Sequence, residues 1–311
     1  MIKTERIDRV ELMRTFVRIV EAGSLSTAAK QMGTTQATIS RRLQSLETLL
    51  SVKLILRTTH AMKLTDDGER AYDHARHIID AWLALEDGLN VTEDDPVGTL
   101  RVRAPHAFGQ QQLLEPLLQF LSRYPQLSVE WMLNDKTVEF LSDNIDCAIR
   151  VGAEVDPATV SVLLAEVPRS MVASPGFIAQ YGELSHPEQL SGLPWIAVST
   201  FYQHSVSLFH LSNNDSRTVN ISPRLSTDSI YVARNAALAG LGVAIVSRWM
   251  VEEELAQGRL VELLPDWHAA PLPVHLVYPW ARYYPTRLRK FLALMKDVMP
   301  QLAGMKRVEK A

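Results

Sequence analysis

Gln36, Ser40, Arg41 and Gln44 are spaced so that one helix would carry all four on a single face. Their chemistry suits the reading of DNA. An amide at the start of such a helix can pair bidentately with adenine, and a guanidinium with guanine. Thr35, Ala37 and Arg42 belong to the same stretch, and Ser26 to the one before it. Arg57, Thr58, Thr59 and Lys63 follow in a short polar segment, where cations and hydroxyls suit phosphate contacts. These residues form the candidate DNA-binding set.

A second set falls at expected strand ends in the later part of the chain. Pro105, His106, Ala107 and Phe108 follow one strand, and Asn134 and Lys136 follow the next. Ser199, Thr200 and Phe201 follow a later strand, and Thr227 and Asp228 precede a helix. In open α/β sheets, ligands sit off the carboxyl ends of strands, near helix N-termini whose N–H groups favour an anion. Hydroxyls, one cation and two phenylalanines point to a small organic acid, its ring against a phenylalanine. His106 also reads as a loop histidine, and Asp228 first as a helix cap.

The elements that position the first set can be read from caps and periodicity. Arg6 to Ala22 is expected to be a helix with an apolar stripe of Val10, Met13, Val17 and Val20, Phe16 lying beside it. Ser24 and Ser26 read as N-caps of a second helix that Gly33 ends. Thr35 caps a third, Gln36 to Leu50, with the stripe Ile39, Leu43, Leu46 and Leu50. Two helices joined by a Gly turn, the second opening on polar and basic residues, form a helix-turn-helix. The small Ala28-Ala29 pair lets the helices cross closely. Two short strands, Leu54–Leu56 and Met62–Leu64, make a wing.

Thr65 caps a long helix running to about Val91, with Ala71, Ala75, Ile78, Trp82, Leu85 and Leu89 at heptad spacing. This row is either a dimer seam or a face packed on the chain's own core. His74 and His77 on the same helix have no third ligand in view, so a solvated face is expected there instead of a metal site.

Charge is segregated. Residues 1–64 hold 11 Lys+Arg and 5 Asp+Glu, a net of +6; residues 65–311 hold 21 and 30, a net of −9, and the two give −3. A basic module on an acidic body is the electrostatic footprint of a DNA-binding domain joined to something else. At 47% hydrophobic and 22% charged the chain is an ordinary globular protein. No apolar run reaches the roughly 18 residues of a membrane helix. With no apolar signal core at the N-terminus, and a lone Cys147 in an apolar run, a cytoplasmic protein with an inert buried thiol is expected.

Residues Asp8 to Gly68 resemble the DNA-binding domain of LysR-type transcriptional regulators. The match rests on Phe16, Ala22-Gly23-Ser24, Ala28-Ala29, Gln36, Ser40, Leu46-Glu47, Leu54, Arg57-Thr58-Thr59, Leu64-Thr65 and Gly68. The chain departs from the family pattern at Ala37, Ser51, Ile55 and His60. The resemblance continues more loosely through Gly98–Val102, Tyr124-Pro125, Asp146–Gly152, Ala173-Ser174-Pro175, Ala239–Gly242 and Gly258–Val261. Ser247 stands where the family often has proline. The resemblance implies dimerisation through the long helix, and so favours a seam containing Ala75, Ile78, Trp82, Leu85 and Leu89.

Thr92 to Gly98 is an acidic Pro/Gly hinge. Beyond it, a strand from Leu100, a loop at Pro105–Gly109, a helix Gln111 to Tyr124, a strand Leu127 to Leu133, a helix Thr137 to Asp143 and a strand Asp146 to Val151 make a βαβαβ run with a parallel sheet. A second run begins near Val160. It holds strands at Ser170–Ser174 and Trp195–Val198, a hairpin at 206–221, a helix Ser229 to Ala239 capped at 226–228, and the strand Val243–Val246. A strand Val274–Tyr278 and a helix Pro285 to Met299 close the chain.

The expected fold is thus an α+β and α/β multidomain chain. A winged helix-turn-helix (1–64) and a linker helix (65–92) precede a two-lobed effector domain (96–311) like periplasmic binding proteins. Lobe I spans about 98–165 and 268–305, and lobe II about 166–267. Double-stranded DNA, a small-molecule effector and a second copy of the chain, in a homodimer or homotetramer, are the expected partners; no cofactor and no membrane are expected. No Gly-x-Ser-x-Gly elbow, His-Glu-x-x-His or Walker loop is present, and Gly240-Leu241-Gly242 precedes a strand instead of following one. A regulator is expected. The rivals are a DNA-binding protein with a mere oligomerisation scaffold, and an enzyme of solute-binding-like fold on a DNA-binding tether.

Overall fold

The computed structural model describes residues 8–57, 62–89, 95–136, 138–140, 143–152, 156–213 and 215–307. The main boundary between its two compact units falls between Asp95 and Pro96.

The N-terminal unit opens with α1 (Arg9–Ala22), α2 (Leu25–Gln31) and α3 (Gln36–Leu50). Asp8 caps α1 by accepting from the Val10 and Glu11 N–H groups, so the described helix starts at Arg9, not Arg6. Its buried face is Leu12, Thr15, Phe16, Val17 and Ile19, one position off the expected stripe; Val10, Met13 and Val20 are only half-buried. Both rows are apolar, and the bulkier one faces inward. Ser24 alone caps α2, its Oγ accepting from Thr27 N, and Ser26 lies within the first turn. Gly33 takes a left-handed φ of +61°, and Thr35 caps α3. Ala28 and Ala29 are buried where the helices cross, with Ile39, Leu43 and Leu46. Leu50 is 46% exposed and leaves the expected stripe.

The wing pairs β1 (Ile55–Arg57) antiparallel with β2 (Met62–Leu64). Buried Glu47 fixes its base: the carboxylate accepts from the Leu54 and Ile55 N–H groups and holds Lys53 Nζ at 2.7 Å. Thr65 caps α4 (Asp66–Leu89), its Oγ1 accepting from Gly68 N. A Cβ on Gly68 would fall 2.0 Å from the Leu54 carbonyl oxygen, so only glycine fits where helix and wing meet.

In the second unit, β3 (Gly98–Ala104), α5 (His106–Gln111), α6 (Leu114–Arg123), β4 (Leu127–Leu133), β5 (Cys147–Val151) and β6 (Thr159–Val167) build lobe I. The expected loop at Pro105–Gly109 is instead α5, and a break at 112–113 separates it from α6. The expected helix at Thr137–Asp143 is not found: 138–140 and Asp143 are not helical, and Thr137 and 141–142 lie outside the described residues.

Lobe II follows: β7 (Arg169–Ala173), α7 (Pro175–Tyr181), β8 (Trp195–Val198), β9 (Ser205–His210), β10 (Ser216–Asn220), β11 (Pro223–Thr227), α8 (Ile230–Leu238), β12 (Val243–Ser247), α9 (Arg248–Ala256), β13 (Val261–Glu262) and β14 (Trp267–Ala269). Strand β11 takes the place of the expected cap at 226–228, and Ser229 caps α8. Last come β15 (Leu272–Pro279) and α10 (Thr286–Val298).

The lobe I sheet has the order β4-β3-β5-β15-β6. Its β4, β3 and β5 are parallel as the βαβαβ pattern requires, while β15 runs antiparallel to both β5 and β6. The lobe II sheet runs β11-β8-β12-β7-β13, and β10-β9-β14 forms a third sheet beside it. Strand β6 stays in lobe I to Val167 and β14 in lobe II to Ala269, so the chain crosses near Pro168 and Ala270, not at 165 and 268.

Candidate nucleic-acid interface and ligand cleft

Gln36, Ala37 and Arg41 are exposed on the outer face of α3, with Ser40 half-buried beside them; Ser26, Thr35 and Lys63 are also exposed. The inward period of Ile39, Leu43 and Leu46 turns that polar face to solvent. Thr35 Oγ1 is engaged as the cap, accepting from Thr38 N at 3.2 Å. Arg42 departs from the expected set. Its Nη1 lies 2.5 Å from Glu11 Oε1 and ties α3 to α1, because residue 42 falls on the flank of α3 that meets α1. Arg57 ends β1, while Thr58 and Thr59 lie outside the described residues.

On α4, Ala75 is buried and packs with Ala71, Tyr72 and Ile79 on the helix-turn-helix core. It is therefore an intrachain contact, not part of an outward seam. Ile78 (47% exposed), Trp82 (43%) and Leu85 (38%) continue the heptad row outward, and Leu89 ends the helix. The row is thus split: its first turns serve the chain's own core, and the next present a large apolar face.

The two lobes enclose a cavity of about 400 Å³. Pro105, His106, Ala107, Phe108, Asn134, Lys136, Thr200, Phe201 and Asp228 all line it, as expected. Ser199 and Thr227 do not. Ser199 donates through both N and Oγ to the Thr227 carbonyl oxygen, and Thr227 Oγ1 accepts from Ser229 N. The pair stitches β8 to β11, and neither residue lines the cavity.

Several lining residues escaped the sequence reading: Arg103, Asp135, Arg150, Tyr231, Ser247 and Trp249. Arg103 and Arg150 come from strand interiors, where a lone arginine in a buried run such as Cys-Ala-Ile-Arg-Val is the available signal. Among the described residues, Arg150 is half-buried and its side chain has no hydrogen-bond or ion-pair partner. The first turns of α8 (Ile230, Tyr231) and α9 (Trp249) also reach the cavity, bringing the positive ends of two helix dipoles to it. The ring of Trp249, from lobe II, meets Phe108 of lobe I edge on at 6.2 Å.

Asp135 sits at the start of α5 and accepts from His106 N at 3.3 Å. Enclosure in the cleft raises its pKa, and the Asp228 charge adds to this; the His106 N–H and ring oppose them. Arg169 closes the hinge: its Nε donates to Ala270 O at 2.7 Å, and its guanidinium bonds Tyr202 Oη and lies over that ring. Burial lowers its pKa to about 10, leaving it charged at neutral pH. Tyr202 directly follows Phe201 of the cavity wall, so hinge and cleft share one contact set. No His/Cys/Asp/Glu group suited to a metal occurs among the described residues.

Residues 10–69 match the model of the bacterial regulatory helix-turn-helix protein, lysR family, and residues 93–300 that of the LysR substrate binding domain. The chain is 31% identical over 296 residues to an HTH-type transcriptional repressor of Pseudomonas aeruginosa, covering 95% of this chain and 93% of that one. It is 31% identical over 267 residues to the HTH-type transcriptional regulator DmlR of Escherichia coli, covering 86% of each. The structure is similar to that of CrgA, a LysR-type transcriptional regulator from Neisseria meningitidis, with a TM-score of 0.57, 26% identity, and coverage of 93% of this chain and 98% of that one.

Proposed function

Because this chain belongs to the LysR family of bacterial helix-turn-helix regulators, we propose that its interlobe cleft binds a small organic anion whose arrival changes the spacing of two DNA-binding modules. It is a DNA-binding transcriptional regulator with an effector-binding domain. Gln36 and Arg41 read bases, and Arg57 and Lys63 hold the phosphate backbone. Copies of the chain pair through Ile78, Trp82 and Leu85 of α4. The protein acts in the cytoplasm and by binding alone, without turnover; no described helix is long and apolar enough to cross a membrane.

One observation carries the ligand reading: Arg150, a half-buried cation without a partner among the described residues, lines the cavity that the first turns of α8 and α9 also reach. An enclosed, uncompensated cation costs free energy that an anion would offset. The anion acts only by preferring one arrangement of the lobes over another.

A thermal-shift screen of the full chain tests this. Organic acids should stabilise it, by about 2.7 kcal/mol at a hundredfold excess over Kd. Arg150→Ala should abolish the shift and leave ligand-free operator affinity intact. Stabilisation by neutral or cationic compounds alone would overturn the anion reading. Consumption of a stabilising compound would favour the enzyme rival.

A further inference from the structure

The cleft has two poles of opposite sign. Arg150 reaches the cavity from the middle of the lobe I sheet, on β5. At the exposed ends of strands stand two carboxylates, one from each lobe. Asp135 follows β4 in lobe I, and Asp228 follows β11 in lobe II. Among the described residues neither forms an ion pair: Asp135 accepts the His106 N–H, and the His106 ring acts on its charge from beside it. Lys136, next in sequence, makes no ion pair with either, and its N–H is taken by Asn134 Oδ1.

Two like charges on opposite jaws resist closure, and the resistance grows as closing removes water. An anion on Arg150 satisfies the inner pole but leaves this repulsion in place. A ligand that also presents a cation between the two carboxylates reverses its sign, and then favours the closed arrangement over the open one.

Resting on the anion reading above, we propose that the effector is amphoteric: a carboxylate held at Arg150, with an ammonium group held between Asp135 and Asp228. The chemical class is that of a small amino acid. A simple carboxylic acid of the same skeleton occupies the inner pole without closing the jaws. Phe108, Phe201, Val198 and Ile230 also line the cavity and suit an apolar side chain. The carboxylate pair thus separates an inducing ligand from a silent one, while Arg150 supplies affinity common to both.

The test uses the full chain and a panel of the common amino acids, each beside its deamino and 2-hydroxy counterpart. Thermal shift reads binding. An amino acid should stabilise the wild type and bind at least about tenfold more tightly than its deamino counterpart, the size of a charge-assisted contact. In Asp135→Asn combined with Asp228→Asn, that preference should vanish while binding of the deamino acid is kept or improved. Arg150→Ala should lose both compounds. Equal binding of the amino and deamino acids by the wild type would overturn the amphoteric assignment and leave the anion site standing. So would a preference for the 2-hydroxy acid that survives in the double variant. Stabilisation by no member of the panel would overturn the amphoteric assignment, and the wider screen of organic acids decides the anion site.

Discussion

Trp249 and Phe108 meet edge to face with ring centroids 6.2 Å apart, although one belongs to α9 of lobe II and the other to α5 of lobe I. Both also line the cavity. Gly304 packs on the base of the same residue: an added Cβ there would come within 2.7 Å of the Trp249 Cβ. The indole is a wedge from one lobe set into the other. Any change in the interlobe angle must alter its surroundings. A ligand that closes the cleft should therefore change tryptophan emission, and Trp249→Phe should remove most of that change. Titration of both proteins with the same compound checks this; an undiminished signal in the variant would place the moving element elsewhere.

Neighbouring arginines on α3 should behave differently. Arg41 is exposed on the outer face, and Arg42 is paired with Glu11. Arg41→Ala should cost roughly 1–3 kcal/mol at one base pair and relax preference there. Gln36→Ala should do the same at another. Arg42→Ala should leave base preference unchanged and lower stability by about 0.2–1 kcal/mol, as for other partly exposed ion pairs. Binding to a set of single-base operator variants separates the outcomes.

Trp82→Asp tests the outward part of the α4 row. It places a carboxylate where Ile78, Trp82 and Leu85 offer an apolar face, a costly burial in any seam. The variant should sediment towards monomer at micromolar concentration and lose operator binding. Ala75 is already buried in its own chain, so Ala75→Leu should destabilise the N-terminal unit without a comparable effect on assembly.

Glu47 gives the wing a pH dependence. Burial alone would raise its pKa, but Lys53 and the Leu54 and Ile55 N–H groups outweigh burial and lower it. A lowered carboxyl stabilises the fold at pH above its ordinary value and loses that contribution as pH falls through the folded one. Glu47→Gln should flatten the acid limb of the stability profile. Glu47→Ala should cost about 1–3 kcal/mol, since two wing amides lose their acceptor. Denaturation of the full chain at several pH values, followed by a probe in the wing, reads both.

Asp135 should act in the opposite sense. Its raised pKa means the folded state favours the neutral acid, so stability falls as pH rises through that value. Asp135→Asn removes a repulsive charge and should raise Tm at neutral pH, with the gain shrinking in acid. A more stable variant with altered ligand response is the pattern expected of a binding residue.

Much of this was legible in the residues. Thr35, Gly33 and the Ile39-Leu43-Leu46 period defined α3 to the residue. The failures have physical causes. In α1 two neighbouring rows are apolar, and only packing decides that Leu12, Phe16 and Ile19 face in. Strand β11 opens with proline and alternates weakly, so it read as a cap. Helix α9 carries Glu252-Glu253-Glu254, and no element is expected over its residues. Its Glu254 is buried between Arg234 and Arg259, an ion-pair cluster that no local pattern announces. Nine cavity residues were found because strand ends converge in such sheets. Arg150 and Trp249 were not, because one sits mid-strand and the other on the unrecognised α9.

Lobe II leaves the lobe I sheet after Val167 and returns at Leu272, and these two residues are direct partners in the β6–β15 ladder. The whole intervening segment is thus an insert whose two ends lie side by side. Grafting in a different insert needs a match at that pair, at the cavity wall and where Trp249 meets Gly304. Recombination between related genes can then exchange half of the ligand's surroundings in one step, keeping Arg150 and the DNA-reading helix while replacing Asp228, Tyr231 and Trp249. New specificities can arise by trading a cassette as well as by accumulating point changes.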